Sequence, residues 1–228
     1  MSERQRGPVD DVAWPEELAA RVVLPGDEPR VHGYDVQSDL ATHYRFGETL
    51  LIYLGGEAPD QDRGRAFEIA MTFASVLDAG EAPAHAGIVA RMCGAPASGV
   101  VAVAATALTE RNRVIVSNHR ELFAWLALGD AALPSTCRAR DDGDRAATVR
   151  LRRALPASFA NASVFSRDPS KEACVIATLF ACGLQRPEQV EAALTIATLA
   201  SACAEAFAAT PGDFRGYPMN TPKFEYVP

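Results

Sequence analysis

The amino-acid sequence predicts an all-α fold, and three observations lead to this prediction. Hydrophobic residues make up 48% of the 228 residues, but aromatic residues contribute only 7%, and alanine supplies much of the remainder. Alanine-rich apolar segments favour closely packed helices. Apolar residues recur at three- and four-residue spacing, and Gly or Pro separates the segments that show this spacing. A chain of this length can form one substantial core.

Turn-forming residues divide the chain into helices. Gly55 and Gly56 end one helical segment, Pro59 opens the next, and Pro187 takes the first position of the last helix. The last helix carries few charges, which predicts that it is buried. The predicted helices are two short segments between 36 and 56, a longer one from 59 to 80, and others at about 83–93, 97–109, 118–128, 168–183 and 187–208.

Three segments lack this apolar helical pattern. Residues 1–30 are rich in Pro, Gly and charged side chains, so we expect an irregular arm. Residues 129–153 are highly charged, and the aspartates of 141–144 lack the ligand spacing of a calcium loop. We therefore expect a solvated loop there, with room for one exposed helix. The tail 211–228 is expected to be extended, and the Asp-Pro pair at 168–169 to cap the helix that follows.

Composition argues against several classes of protein. The net charge of −7 and the pI of about 5.2 do not suit nucleic-acid binding. Residues 1–7 are polar and no apolar run of spanning length stands out, so we expect neither a secretory signal nor a membrane segment. Five cysteines without a C-x-x-C pair predict reduced thiols in the cytoplasm. His85 and Cys93 are too far apart to share a metal ion, and we expect no metal site.

Short motifs in both halves of the chain resemble the citrate synthase and citryl-CoA lyase family. Residues 31–36 (VHGYDV) resemble the family's Gly-Tyr-Asp segment, and 46–59 (FGETLLIYLGGEAP) resemble the helix and turn that follow it. Residues 81–86 and 94–96 are similar to the next helix start and turn, and 214–228 to the C-terminal tail. The resemblance covers about 31–128 and 158–228.

This resemblance implies a helical bundle like the large domain of citrate synthases, with the small domain mostly missing. Residues 31–228 would form that domain after the arm of 1–30, and 129–157 would be the reduced remnant of the small-domain region. The family works as a dimer and makes or breaks a carbon–carbon bond between an acyl-CoA and a 2-oxo acid. A coenzyme A ester is therefore the implied substrate, and no further cofactor is expected.

The chain departs from the family pattern where the family carries its chemistry. Ser163 stands where an Asn-Val-Asp-Phe-Tyr-Ser pattern places the catalytic aspartate. His119 is the nearest match to the histidine of a His-Gly-Gly-Ala turn, but the glycines are missing, and nothing matches the loop of the second histidine. Thr198 and the pair at 204–205 replace an arginine and an Ala-His pair. Arg215 matches the tail arginine that binds substrate at a neighbouring subunit's site.

These departures predict a pseudoenzyme or partner-dependent subunit, either a homodimer or a heterodimer with a citrate synthase-family paralogue. A missing base cannot be replaced by an unactivated hydroxyl. The alternative, an active acyl-CoA-dependent carbon–carbon lyase or synthase, therefore requires an altered site. His119 is either a rewired catalytic base or a surface residue at a helix start. Ser163 is either its nucleophilic partner or a small polar capping residue. Arg215 binds either a substrate carboxylate or an acidic partner surface.

Overall fold

The structure, a computed structural model, describes residues 20–128 and 132–212. The chain divides into two units, Met1–Phe46 and Gly47–Pro228. Helices dominate the described residues, and the sheet found there has three strands of two residues each. The prediction of an all-α fold is therefore confirmed.

The first unit contains a small antiparallel sheet followed by short helical turns. Strands β1 (Val23–Leu24), β2 (Arg30–Val31) and β3 (Tyr34–Asp35) pair in that order. The Asp35 carboxylate then accepts hydrogen bonds from the backbone N–H groups of the next turn, which continues into α1 (Ala41–His43). Residues 20–30 were expected to be irregular, but part of this segment pairs in the sheet. Residues 1–19 of the predicted arm lie outside the described residues.

The second unit is built from helices joined by short connections. Two 3-10 turns, Ser135–Cys137 and Ser163–Ser166, precede α7 and α9. The helices are α2 (Phe46–Gly55), α3 (Gln61–Ala74), α4 (Ala82–Met92), α5 (Ala97–Asn118), α6 (Arg120–Leu128), α7 (Asp142–Ala154), α8 (Ala157–Ala160), α9 (Lys171–Ala181) and α10 (Pro187–Ala208). The bounds predicted for α10 are confirmed, and those for α4 and α6 are confirmed within two residues.

Three predicted helix boundaries are wrong. Helix α5 continues through the polar residues at 110–112, where the sequence predicted a break. Helix α3 ends at Ala74 and not near Gly80, because Asp78 accepts a hydrogen bond from Gly80 N and forms a local turn. Helix α9 begins after Ser170 and not at the predicted Asp-Pro cap of 168–169. The Ser170 Oγ accepts a hydrogen bond from Ala173 N at 3.0 Å.

Helix α9 lies at the centre of the second unit. Seven consecutive residues, 173–179, are buried, and the helix packs against α3, α6, α7 and α10. The sequence of a helix that is buried on all sides is an apolar run without a polar face. Phe123 of α6 and Phe180 of α9 meet edge to face, with ring centroids 6.1 Å apart.

Helices α4, α5 and α10 form a second, tightly packed layer. Gly87 of α4 makes the close approach possible, because a Cβ atom there would lie 3.2 Å from the Cβ of Ala206 and 3.5 Å from that of Ala104. Small residues on all three helices let the backbones approach one another. This packing fixes the direction of α5, which carries the candidate site at its C-terminal end.

Helix α10 is long and apolar enough to span a membrane by length and composition alone. An 18-residue window has a mean hydropathy of 1.4, and 33% of it is buried inside the structure. The expectation that the chain holds no apolar segment of spanning length is therefore wrong for α10. A core helix of a water-soluble protein passes the same test, so this helix is weak evidence for a membrane segment.

Candidate functional site

A cleft of about 910 Å³ lies beside the C-terminal half of α5. The start of α4, the segment before α7 and the start of α9 supply its other walls. Its lining residues are Glu81, Ala82, Pro83, Ala107, Glu110, Arg111, Val114, Ile115, Asn118, His119, Thr136, Arg140 and Glu172. An apolar surface with a few convergent charged groups is typical of a ligand site.

His119 forms the corner between α5 and α6. Its backbone leaves helical geometry (φ −105°, ψ 18°), and its N–H donates to the Val116 carbonyl at 3.1 Å. Its own carbonyl accepts from Leu122 N at 2.9 Å, so α6 begins without a connecting loop. The backbone of His119 is consequently held by two helices, which is the kind of rigid support that a functional residue needs.

The His119 side chain is buried, with 3% of its surface exposed. Nδ1 lies 2.8 Å from the Ile115 carbonyl oxygen, which can only accept, so Nδ1 must carry a hydrogen. In the neutral ring, Nε2 then holds a lone pair. Nε2 is buried and has no hydrogen-bond partner among the described residues. The alternative that His119 is a surface residue is therefore wrong, and an unsatisfied buried acceptor needs an explanation.

The carboxylates in the cleft are held by arginines. Glu81 Oε2 accepts from Arg111 Nε at 2.6 Å, and Arg140 lies 3.9 Å from Glu172. Glu110 pairs with Arg113 at 2.6 Å, and this hydrogen bond lowers the pKa of the Glu110 carboxyl. The lowered pKa makes Glu110 a poor proton acceptor near neutral pH, because its charged form is already stabilised.

Arg111 belongs to a buried polar network that sequence reasoning missed. Its Nη1 donates to Asn112 Oδ1 at 3.2 Å, and Asn112 Nδ2 donates to Thr195 Oγ1 of α10 at 3.1 Å. Asn112 is fully buried. A side cavity of about 50 Å³ lies beside this network and shares Arg111, Ile115 and Glu172 with the cleft. The sequence signal is the polar run at 110–112 inside α5, which predicts a helix break.

Ser163 lies elsewhere in the second unit. It is exposed at the start of the 3-10 turn, where its carbonyl accepts from Ser166 Oγ at 2.7 Å. The cavity beside this turn is lined by Ser158, Phe159, Ala162, Val164, Phe165, Ala177, Thr178 and Ala181. That cavity and the His119 cleft share no lining residue. Among the described residues, no hydrogen bond joins Ser163 to His119. The two candidate catalytic residues are not brought into one cleft.

The other residues at which the chain departs from the family pattern, Thr198 and the pair at 204–205, lie on α10. Thr198 is buried, donates from Oγ1 to the Leu194 carbonyl at 2.8 Å, and lines the side cavity. Residues 204 and 205 are exposed on α10. Arg215, the predicted substrate-binding residue, lies outside the described residues. Within 20–128 and 132–212, no three His, Cys, Asp or Glu residues form a group that could hold a metal ion.

No protein-family model and no curated protein matches the sequence. The structure is similar to that of citryl-CoA lyase from Hydrogenobacter thermophilus, with a TM-score of 0.66 over 92% of this chain and 95% of that chain, at 14% sequence identity. The chain thus spans nearly the whole length of that lyase. At this identity the likeness concerns the fold. The protein has a citrate synthase/citryl-CoA lyase-like fold, as its sequence motifs predicted.

Proposed function

We propose that this chain is a citrate synthase/citryl-CoA lyase-like subunit that binds an acyl-CoA ligand and does not perform the family's reaction alone. The observation that carries the proposal is Ser163, which stands where the sequence resemblance places the catalytic aspartate. The fold of the citryl-CoA lyase supports the family reading, and the His119 cleft supports a ligand site.

The chemical argument concerns the missing base. A positioned general base contributes about 10²–10⁴-fold to proton abstraction, and a serine hydroxyl without an activating partner cannot take this role. Two carboxylates of the cleft do not compensate, because Glu81 and Glu110 each accept a hydrogen bond from an arginine at 2.6 Å. The chain is then either non-catalytic or dependent on a partner subunit that brings a complete site.

Exposed apolar residues support assembly with a partner. On α10, Ile196 and Phe207 are 40% and 43% exposed, and their eleven-residue separation places them on one face. Ala200 and Ala204 on the same face are also exposed. A contiguous apolar face on a long helix marks an interaction surface. The partner is a second copy of this chain or a citrate synthase-family paralogue, and we place the assembly in the cytoplasm.

Citryl-CoA cleavage by the purified chain tests the proposal. We expect coenzyme A esters to raise the melting temperature by binding the folded state. We expect no cleavage, either by the wild-type protein or by Ser163→Asp, because one carboxylate does not restore the other missing groups. Cleavage by the wild-type chain that His119→Asn abolishes would overturn the proposal.

That same outcome would establish the second candidate function, an active acyl-CoA-dependent lyase or synthase with an altered site. The observation that favours it is the Nε2 lone pair of His119, which could accept a proton where the family uses a carboxylate. An active enzyme of this kind should lose kcat in His119→Asn, which removes the Nε2 lone pair. Activity that stays constant in His119→Asn would exclude this role.

A further inference from the structure

The hydrogen-bond polarity of His119 carries information about the ligand of the cleft. The Ile115 carbonyl belongs to the last turn of α5 and lies 2.8 Å from Nδ1, so the backbone itself fixes which ring nitrogen is protonated. A neutral His119 can therefore offer Nε2 only as an acceptor. Nε2 could donate only in a doubly protonated, positively charged ring.

The charged groups around His119 do not satisfy this acceptor. Among the described residues, Nε2 has no donor, and the arginines that line the cleft are engaged by carboxylates. The titratable groups of the cleft and of the adjoining start of α6 are Glu81, Glu110, Arg111, Arg120, Glu121, Arg140 and Glu172. Arg111 and Arg140, the arginines that line the cleft, would each have to give up an ion pair to donate to Nε2.

Access to Nε2 requires a side chain of the cleft wall to move. Arg140 lines the same cleft as His119, its side chain is 70% exposed, and its ion pair with Glu172 is long, at 3.9 Å. An exposed ion pair of this length contributes little stability, so its loss is easily offset by a new hydrogen bond. Displacing Arg140 from Glu172 therefore costs a ligand little.

We propose that the ligand of this cleft donates a hydrogen bond from a hydroxyl or amide N–H group to Nε2 of His119. The proposal rests on the proposed function in one respect, that the cleft is a ligand site. It predicts discrimination between two acyl-CoA esters that differ only at one oxygen. A hydroxyl can donate to Nε2, whereas a ketone in the same position brings two acceptors together and leaves both unsatisfied.

The first test needs no ligand. In the full-length protein labelled with ¹⁵N-histidine, long-range ¹H–¹⁵N correlation spectra distinguish the two neutral tautomers. We expect the signals that disappear in His119→Asn to report hydrogen on Nδ1 and a lone pair on Nε2 at pH 8. Signals that report hydrogen on Nε2 would overturn the proposal, whatever binds in the cleft.

The second test compares 3-hydroxybutyryl-CoA with acetoacetyl-CoA by calorimetry. At pH 8 we expect the hydroxy ester to bind about tenfold more tightly. Equal binding, or a preference for the oxo ester at pH 8, would overturn the proposal.

Three variants separate the role of Nε2 from that of Nδ1. His119→Asn retains a donor close to the position of Nδ1 and removes Nε2, so it should abolish the preference. His119→Gln places an amide oxygen near the position of Nε2 and should retain part of it. His43→Asn, at an exposed histidine of the first unit, should leave it unchanged. If neither ester binds, the proposed function fails, and the tautomer measurement alone decides the polarity of His119.

Discussion

His119 owes its buried position to the corner between two helices and not to its neighbours in sequence. Ser117, Asn118 and Arg120 are exposed, and this polar setting predicted a surface residue. The backbone at 119 turns the chain from α5 into α6. The imidazole points inward, and its Nδ1 donates a hydrogen bond to the Ile115 carbonyl. His119 therefore lines the candidate site, and its Nδ1 hydrogen bond fixes the tautomer from which the polarity of the ligand is inferred.

The buried thiols should make the protein less stable at alkaline pH. Burial raises the pKa of Cys174 and Cys182 to about 12, from 9.0 in the unfolded chain. The unfolded state therefore loses its thiol protons first as the pH rises above 9. We expect each thiol to lower the free energy of unfolding by about 1.4 kcal/mol per pH unit between pH 9 and 12, measured by urea denaturation.

The contribution of the thiols can be isolated by substitution. In the Cys174→Ala/Cys182→Ala variant, which will be less stable at every pH, the slope of unfolding free energy against pH should be shallower above pH 9. Cys93→Ala is the matched control, because Cys93 is exposed. An unchanged slope in the double variant would contradict the assignment of the alkaline instability to these thiols.

At the scale of elements, the polar run in α5 shows why local pattern failed. Asn112 is unfavourable in an isolated helix, and the sequence therefore predicted a break at 110–112. In the structure, Arg111 and Thr195 satisfy the Asn112 side chain, and Thr195 is 83 residues away on α10. A partner so distant in sequence leaves no local signal. The helix thus continues for 22 residues and delivers His119 to the cleft.

The cap of α9 gives a direct test of one corrected boundary. Ser170→Ala removes the hydroxyl that accepts from Ala173 N, and we expect it to lower the free energy of unfolding by about 1–2 kcal/mol. Asp168→Gly should change it by less than about 1 kcal/mol, because Asp168 has a positive φ of 54° and an exposed ion pair with Arg145. A larger effect at Asp168 than at Ser170 would restore the original prediction.

The layer of α4, α5 and α10 should not tolerate a larger side chain at Gly87. Gly87→Val would force α4 away from Ala206 and Ala104, and we expect a loss of about 1–3 kcal/mol of unfolding free energy. Gly99→Ala in α5 is the matched control, since its Cβ would make only ordinary contacts of 3.5 Å or more. It should stabilise the helix by about 0.5–1 kcal/mol. Thermal and urea unfolding measure both.

At the scale of the whole molecule, the exposed face of α10 predicts association. Replacing Ile196 and Phe207 with Glu should dissociate the proposed dimer, because charges on both sides of the interface would lose their hydration. Sedimentation equilibrium of the full chain measures the change in mass. Val149→Glu, at an exposed apolar residue of α7, should leave the mass unchanged. A wild-type chain that is monomeric and finds no paralogue partner would contradict the proposal.

The sequence by itself determined the class of fold, the order of most helices and the bounds of α10, because apolar periodicity and Gly or Pro signals reflect local backbone geometry. The family motifs led further, to the fold that the structural likeness confirms. Only the tertiary structure decided that His119 is buried beside a cleft, that Ser163 lies on another surface, and that Asn112 pairs with Thr195. These features depend on groups far apart in the chain, and their positions follow from how whole helices pack.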